Sequence, residues 1–149
     1  MAVNEIHIDA SPETLFEVLR DPDSYGHWVV GSKRIRDADR EWPAPGSRFH
    51  HTVGFGPLTL DDHTLSLRAE PPRLLELRTK ARPLGTAHVC IECRAEGTGA
   101  LVTMREDAGD KLTALLFNPL THLLVRGRNA ESLRRLARLA EKRHREQAK

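Results

Sequence analysis

The chain has 149 residues, 39% of them hydrophobic and 30% charged, with a formal net charge of +2. That length suits one domain around one core, and the apolar content is too high for a disordered chain. No apolar run approaches the roughly 18–20 residues needed to span a bilayer, so no integral membrane segment is expected. The opening stretch, Met1-Ala2-Val3-Asn4-Glu5-Ile6-His7, has neither the basic nor the apolar region of a secretory signal, which predicts a cytoplasmic protein. The charge is uneven: from Arg126 to Lys149 nine Lys or Arg face three Glu, making that tail +6 and the remainder −4. Such a stripe can attract nucleic acid or an anionic membrane surface. No aromatic residues interleave with the cations for base stacking, so the expected reading is a solvated helix face without a nucleic-acid partner.

Asn4 to Asp9 alternates, with Ile6 and Ile8 on one side, and predicts a strand. Ser11-Pro12-Glu13 is a capping hydroxyl followed by proline, the start of a helix whose apolar side holds Leu15, Phe16, Val18 and Leu19. Asp21-Pro22 repeats the signal and predicts a short second helix carrying Tyr25 towards Trp28. Strand-like segments follow, separated by turn residues: Lys33 to Asp39, Ser47 to Phe55, Leu58 to Ala69, Leu74 to Ala81, Thr86 to Arg94 and Ala100 to Glu106. Trp42-Pro43-Ala44-Pro45-Gly46, Gly56-Pro57, Pro71-Pro72, Arg82-Pro83-Leu84-Gly85 and Glu96-Gly97-Thr98-Gly99 punctuate them. Leu58 to Ala69 is long enough to bulge near Asp61-Asp62. Short turns between successive strands imply an antiparallel meander. Asn118-Pro119 then opens a long helix with a predicted apolar stripe of Leu120, Leu123, Leu124, Gly127, Ala130, Leu133, Leu136, Ala137 and Ala140. Gly127 and Ala130 are small mid-stripe residues; they leave room beneath the helix for a ligand or for close contact with a sheet.

The whole order is one strand, two small helices, a six-strand meander and a long C-terminal helix. It is carried by Ile8-Asp9-Ala10-Ser11-Pro12-Glu13, Trp28-Val29-Val30-Gly31, Trp42-Pro43-Ala44-Pro45-Gly46, His50-His51, Glu70-Pro71-Pro72-Arg73-Leu74 and Arg128-Asn129. This resembles the helix-grip fold of the START-like superfamily, and within it the SRPBCC branch of polyketide cyclase/dehydrase and lipid-transport proteins. The resemblance implies an α+β domain over residues 1–149, with a curved antiparallel sheet of about seven strands around the last helix. It further implies a hydrophobic small-molecule partner, held by a monomer or homodimer. Function does not follow from such a fold, which hosts cyclases, carriers, sensors and co-chaperones.

Strand parity nominates the polar residues of a cavity. If Phe49, Val53 and Phe55 point inward, so does His51. Leu65 and Leu67 put His63 inward provided the bulge precedes it, and Val102 and Met104 do the same for Glu106. Two imidazoles and a carboxyl suit general acid–base work on a polyketide, so His51, His63 and Glu106 are the candidate catalytic residues. Their spacing matches no metal motif, and neither metal nor cofactor is assigned. Tyr25 and Trp28, at a usual entrance in the family that this chain resembles, offer apolar bodies with a donor. The remaining candidate ligand contacts are Leu77, Val89, Ile91 and Met104 from the meander and Leu120, Leu124 and Gly127 from the helix. Arg78 is expected outward; Arg82 is a further candidate for an enolate or carboxylate. Cys90-Ile91-Glu92-Cys93 lies in a strand pattern, which puts the thiols on opposite faces about 10 Å apart, too far for a disulfide. The readings left open are a ligand-binding cyclase/dehydrase, a non-catalytic carrier or sensor, and an interaction module acting through the basic helix.

Overall fold

The computed structural model describes residues 1–55, 57–80, 86–108 and 119–148, except for the side chains of Lys33, Val53, Phe55, Leu58, Thr59, Leu60 and Thr121. The expected turn at Arg82–Gly85, the Asn118 cap, and the side chains of Val53 and Phe55 therefore lie outside the described residues. Strand β1 (Ala2–Ile8) leads into helix α1 (Pro12–Arg20), a 3-10 turn (Pro22–Ser24) and the one-turn helix α2 (Tyr25–Trp28). Strands β2 (Ser32–Ala38), β3 (Arg48–Phe55), β4 (Leu58–Glu70), β5 (Leu74–Lys80), β6 (Thr86–Glu96) and β7 (Gly99–Ala108) follow, then helix α3 (Pro119–Gln147). The seven strands form one curved antiparallel sheet in the order β1-β7-β6-β5-β4-β3-β2, the expected helix-grip arrangement.

Local chemistry explains the joints. Ser11 Oγ accepts a hydrogen bond from the Thr14 amide at 3.1 Å, and Asp21 Oδ1 one from the Asp23 amide at 3.1 Å, so both proline-led starts are capped as the sequence predicts. β1 sits beside β7 rather than β2, so the segment with α1 and α2 crosses from one edge of the sheet to the other. At Gly99 a Cβ would come within 2.1 Å of the Ile8 carbonyl oxygen, and only glycine lets β1 close on β7 there. Leu15, Phe16, Val18 and Leu19 of α1 are buried in the same core as Leu133, Leu136, Ala137 and Ala140 of α3. Each fully buried leucine contributes roughly 1.5–3 kcal/mol of apolar burial.

Two expectations about facing are corrected. The first concerns β4, whose bulge lies between Ser66 and Arg68, not near Asp61-Asp62. Upstream of it, β4 pairs with β3 as Phe49↔Thr64 and His51↔Asp62. Directly opposed residues share a face, so Asp62, Thr64 and Ser66 turn inward and are buried, while His63, Leu65 and Leu67 turn outward. The second concerns α3. Its predicted stripe steps mainly by three residues, and each such step falls short of a full turn. From Leu124 to Leu136 the stripe rotates by about 240° around the helix. Leu133, Leu136, Ala137 and Ala140 consequently face the core, while Leu120, Leu123 and Leu124 are 67%, 63% and 66% exposed on the far side. Gly127 is exposed as well, and a Cβ there would meet nothing within 4 Å.

An exposed mid-helix glycine with open space around it weakens a helix without serving packing. Gly127→Ala should raise unfolding free energy in a urea titration by about 1 kcal/mol, whereas Leu136→Ala should lower it by about 2–5 kcal/mol. A destabilised Gly127→Ala would restore the view that this glycine is needed beneath the helix.

Candidate functional site

The inner face of the sheet is chemically divided. On β5, β6 and β7 it presents Leu75, Leu77, Val89, Ile91, Val102 and Met104, all buried. On β3 and β4 it presents His51, Asp62, Thr64 and Ser66, also buried. Trp28 and Phe49 stand at that polar end inside an aromatic group centred on Tyr25, whose ring lies 5.0 Å from Trp28, 5.8 Å from Trp42 and 4.8 Å from Phe49. The Tyr25 hydroxyl donates to the Leu19 carbonyl at 2.7 Å, and the Trp42 indole donates to the same oxygen at 3.2 Å. Burial pushes the Tyr25 phenol far above its ordinary range. Its hydroxyl is committed to the backbone, so Tyr25 supports Trp28 and Phe49 and does not offer the donor expected of it.

His51 is 5% exposed, and its Nε2 lies 3.2 Å from Thr64 Oγ1. Burial holds its pKa below the ordinary imidazole value, against the opposing pull of the His63 backbone and the Asp62 carboxylate. Near neutral pH the ring is thus uncharged, able to act as base or hydrogen-bond acceptor. Among the described residues its Nδ1 lacks a well-formed hydrogen bond, as do the buried Asn4 Oδ1, Trp28 Nε1, Ser32 Oγ and Asn129 Nδ2; a sixth such atom, Glu70 Oε2, is ion-paired with Arg68. Asn4, paired across from Met104, shares the inner face of β1; Ser32 pairs with Val53 at the start of β2; Asn129 lies on the core side of α3. An unmet buried donor or acceptor costs about 1–3 kcal/mol, so a bound molecule or water that met any of these five would be stabilised by it.

The three catalytic candidates do not assemble. His63 lies on the outer face, directly opposite His50, with ring centroids 6.1 Å apart. Its pKa is held down by partial burial and by the charges of Arg48 and Lys80. Glu106 does face inward, but both its oxygens accept from Arg128 Nη2, at 2.5 and 2.6 Å. The carboxylate, 6% exposed, is thus an ion-pair partner of α3 rather than a free acid. Glu106 and His51 stand on β7 and β3, four strand steps or roughly 19 Å apart along the sheet. Among the ligand candidates, Trp28, Phe49, Leu77, Val89, Ile91 and Met104 lie buried in the core. Leu65 faces outward, and Leu120, Leu124 and Gly127 point away from the sheet, for the reasons of register and helix rotation given above. Arg78 is exposed, as expected, and Arg82 lies outside the described residues. Cys90 and Cys93 are free thiols on opposite faces of β6, and burial raises the pKa of both, that of Cys93 to about 11. No group of three or more metal-ligating side chains occurs among the described residues.

Sequence reasoning missed Asp62, Thr64, Ser32 and Asn129. Only Asn129 left a readable signal: it precedes Leu133 by four and Leu136 by seven, which places it on the core side of a helix.

A family model described as polyketide cyclase / dehydrase and lipid transport matches residues 2–141. The chain belongs to that family. No protein of curated function matches it in sequence. Among solved structures it is similar to a protein from Nitrosomonas europaea, with a TM-score of 0.71, 14% identity, and 94% of this chain and 93% of the other covered. It is similar also to the di-domain ARO/CYC StfQ from the steffimycin biosynthetic pathway (TM-score 0.70, 16% identity), covering 98% of this chain and 50% of that one. A third is the Aha1 dimer from Colwellia psychrerythraea, at TM-score 0.66 and 15% identity, with 94% and 95% covered. At these identities the likeness is one of fold.

The depressed His51 pKa has a definite sign. The unfolded state takes up a proton below about pH 6.5, the folded state only at lower pH. The neutral, buried ring therefore costs no stability above the unfolded pKa and weakens the fold as pH drops below it. Thermal midpoints measured between about pH 7 and pH 5 should fall less for His51→Gln than for the parent; parallel curves would contradict this placement of His51.

Proposed function

We propose that this protein binds a small molecule with an apolar ring or chain body and several oxygen atoms, between the inner face of its sheet and α3. The observation that carries this reading is a set of buried polar atoms without a well-formed hydrogen bond, spread along the interior from Asn4 on β1 to Ser32 on β2 and set beside an apolar half-face. Trp28 Nε1 and Asn129 Nδ2 are donors, Asn4 Oδ1 is an acceptor, and Ser32 Oγ and His51 Nδ1 can serve as either. The apolar body lies against Leu77, Val89, Ile91 and Met104, next to Phe49. A polyketide-like or oxygenated lipid-like molecule has this make-up, in keeping with the family and with the biosynthetic pathway named for one fold relative.

Within this reading the protein is a binding or carrier protein first. Cyclase/dehydrase activity is the second reading, favoured by one observation, the neutral buried imidazole of His51. In that case His51 removes a proton from the carbon beside a ligand carbonyl, and the donors of Trp28 or Asn129 hold the oxygen on which negative charge develops. Neither His63 nor Glu106 takes part in this version.

Quenching of tryptophan emission tests the proposal, using a hydroxylated anthraquinone and the unsubstituted hydrocarbon anthracene as probes. His51→Phe should weaken anthraquinone binding about two- to tenfold, the worth of one hydrogen bond, and leave anthracene binding unchanged. Equal affinities of parent and variant for both probes would sink the assignment of His51. Conversion of a linear polyketide by the parent, lost in His51→Ala, would select the cyclase reading over the carrier.

A further inference from the structure

The far side of α3 carries a pattern that the ligand site does not use. Leu120, Leu124 and Gly127 continue, at steps of three or four, into Glu131, Arg134 and Arg138, and then into Lys142 and Arg145. They form one face of the helix, about 37 Å long at 1.5 Å per residue. Its first two turns expose Leu120, Leu123 and Leu124, each more than 60% accessible. Burying large apolar side chains is favourable, so three neighbouring leucines left in water are an unmet demand. The later turns expose cations. Of the three acids there, Glu131 is shared by Arg134, Arg135 and Arg138, Glu141 accepts from the Asp9 amide, and Glu146 lies beside the basic row. One carboxylate cannot neutralise three guanidinium groups, and exposed Lys142 and Arg145 add to the excess.

From this juxtaposition we propose that the outer face of α3 docks the protein on an anionic lipid surface, its N-terminal leucines entering the headgroup–acyl boundary and its C-terminal cations meeting the phosphates. Other occupants fit less well. A second copy docking face to face through an antiparallel α3 would set leucines against arginines, and through a parallel one would bring the two basic rows together. Nucleic acid would satisfy the cations, but it would leave the leucines in water and find no aromatic side chain for its bases. An anionic bilayer satisfies both halves at once. The helix lies on the membrane and does not enter it, as no described helix is long and apolar enough to cross. This docking surface is on the opposite side of α3 from the proposed ligand site and stands or falls independently of it.

Co-sedimentation of the full chain with phosphatidylcholine vesicles, with and without phosphatidylglycerol, tests the proposal. Binding should require phosphatidylglycerol and weaken as salt is raised. Arg138→Gln with Lys142→Gln should weaken it about 25-fold, at roughly fivefold per cation near an anionic surface. Leu120→Ser with Leu124→Ser should weaken it by at least about tenfold. All these side chains are exposed, so circular dichroism melts should match the parent; if the double leucine variant melts early, Leu124→Ser alone replaces it. Three results would overturn the proposal: no preference for phosphatidylglycerol vesicles, unaltered vesicle binding in both variants, or a parent dimer that the leucine variant dissolves without any vesicle binding. Retention on a heparin column without vesicle binding would equally overturn it, in favour of a polyanionic macromolecule.

Discussion

A β-strand has two faces, and one extra residue exchanges them. In β4 the exchange takes place between Ser66 and Arg68, where that strand slips against β5. Downstream of the bulge Ala69 is opposite Leu75, which feeds the apolar core; upstream, Thr64 and Asp62 are opposite Phe49 and His51. Without the bulge the two ends of β4 could not both present these residues to the interior. The slip places hydroxyl and carboxylate groups beside His51 while the neighbouring strands stay apolar. It also exiles His63 to the outer face. The chemistry available inside the fold follows from that one irregularity more than from any single side chain.

The long helix closes this divided interior, and its two halves do so differently. Its C-terminal half is packed, with Leu133, Leu136, Ala137 and Ala140 against α1 and the sheet. Its N-terminal half is tied by polar contacts: Arg128 to Glu106, and the Arg126 carbonyl accepting from Asn4 Nδ2 at 3.1 Å. Apolar packing fixes the C-terminal half, and an ion pair with a half-exposed guanidinium holds the other. Glu106 is buried, so its pairing with Arg128 is what makes a carboxylate tolerable there. Both oxygens of Glu106 are committed to that pair.

Much of the fold was legible because its signals are local. Two serine/aspartate–proline pairs mark the helix starts, and Pro and Gly clusters mark most turns, so seven strands and a final helix could be read in order. The facing of residues was less legible, for two physical reasons. A bulge has no compositional signature in Leu58 to Ala69, where either parity yields an alternating pattern: His63, Leu65, Leu67 or Asp62, Thr64, Ser66. Only the register with β3 decides between them. In α3, leucines three apart look like a stripe in one dimension but wind around a helix of 3.6 residues per turn. The candidate site shared that fate. His51, Phe49 and the apolar residues of β5 to β7 could be nominated from alternation and Trp28 from the family resemblance; the spacing of Asn129 shows its core side, but the hydrogen bonds that Ser32 and Asn129 lack are displayed by no sequence.

The central claim is that the unpartnered polar atoms of the interior are there to meet a ligand. Two-dimensional NMR of the labelled protein tests it directly, by following the indole N–H of Trp28, the side-chain amide of Asn129 and the imidazole nitrogens of every histidine while a hydroxylated anthraquinone is added. The account predicts that Trp28, Asn129 and His51 shift together along one saturable curve, with His50 and His63 unmoved. Shifts confined to His50 and His63, or none at Trp28, Asn129 and His51 at saturating probe, would contradict it.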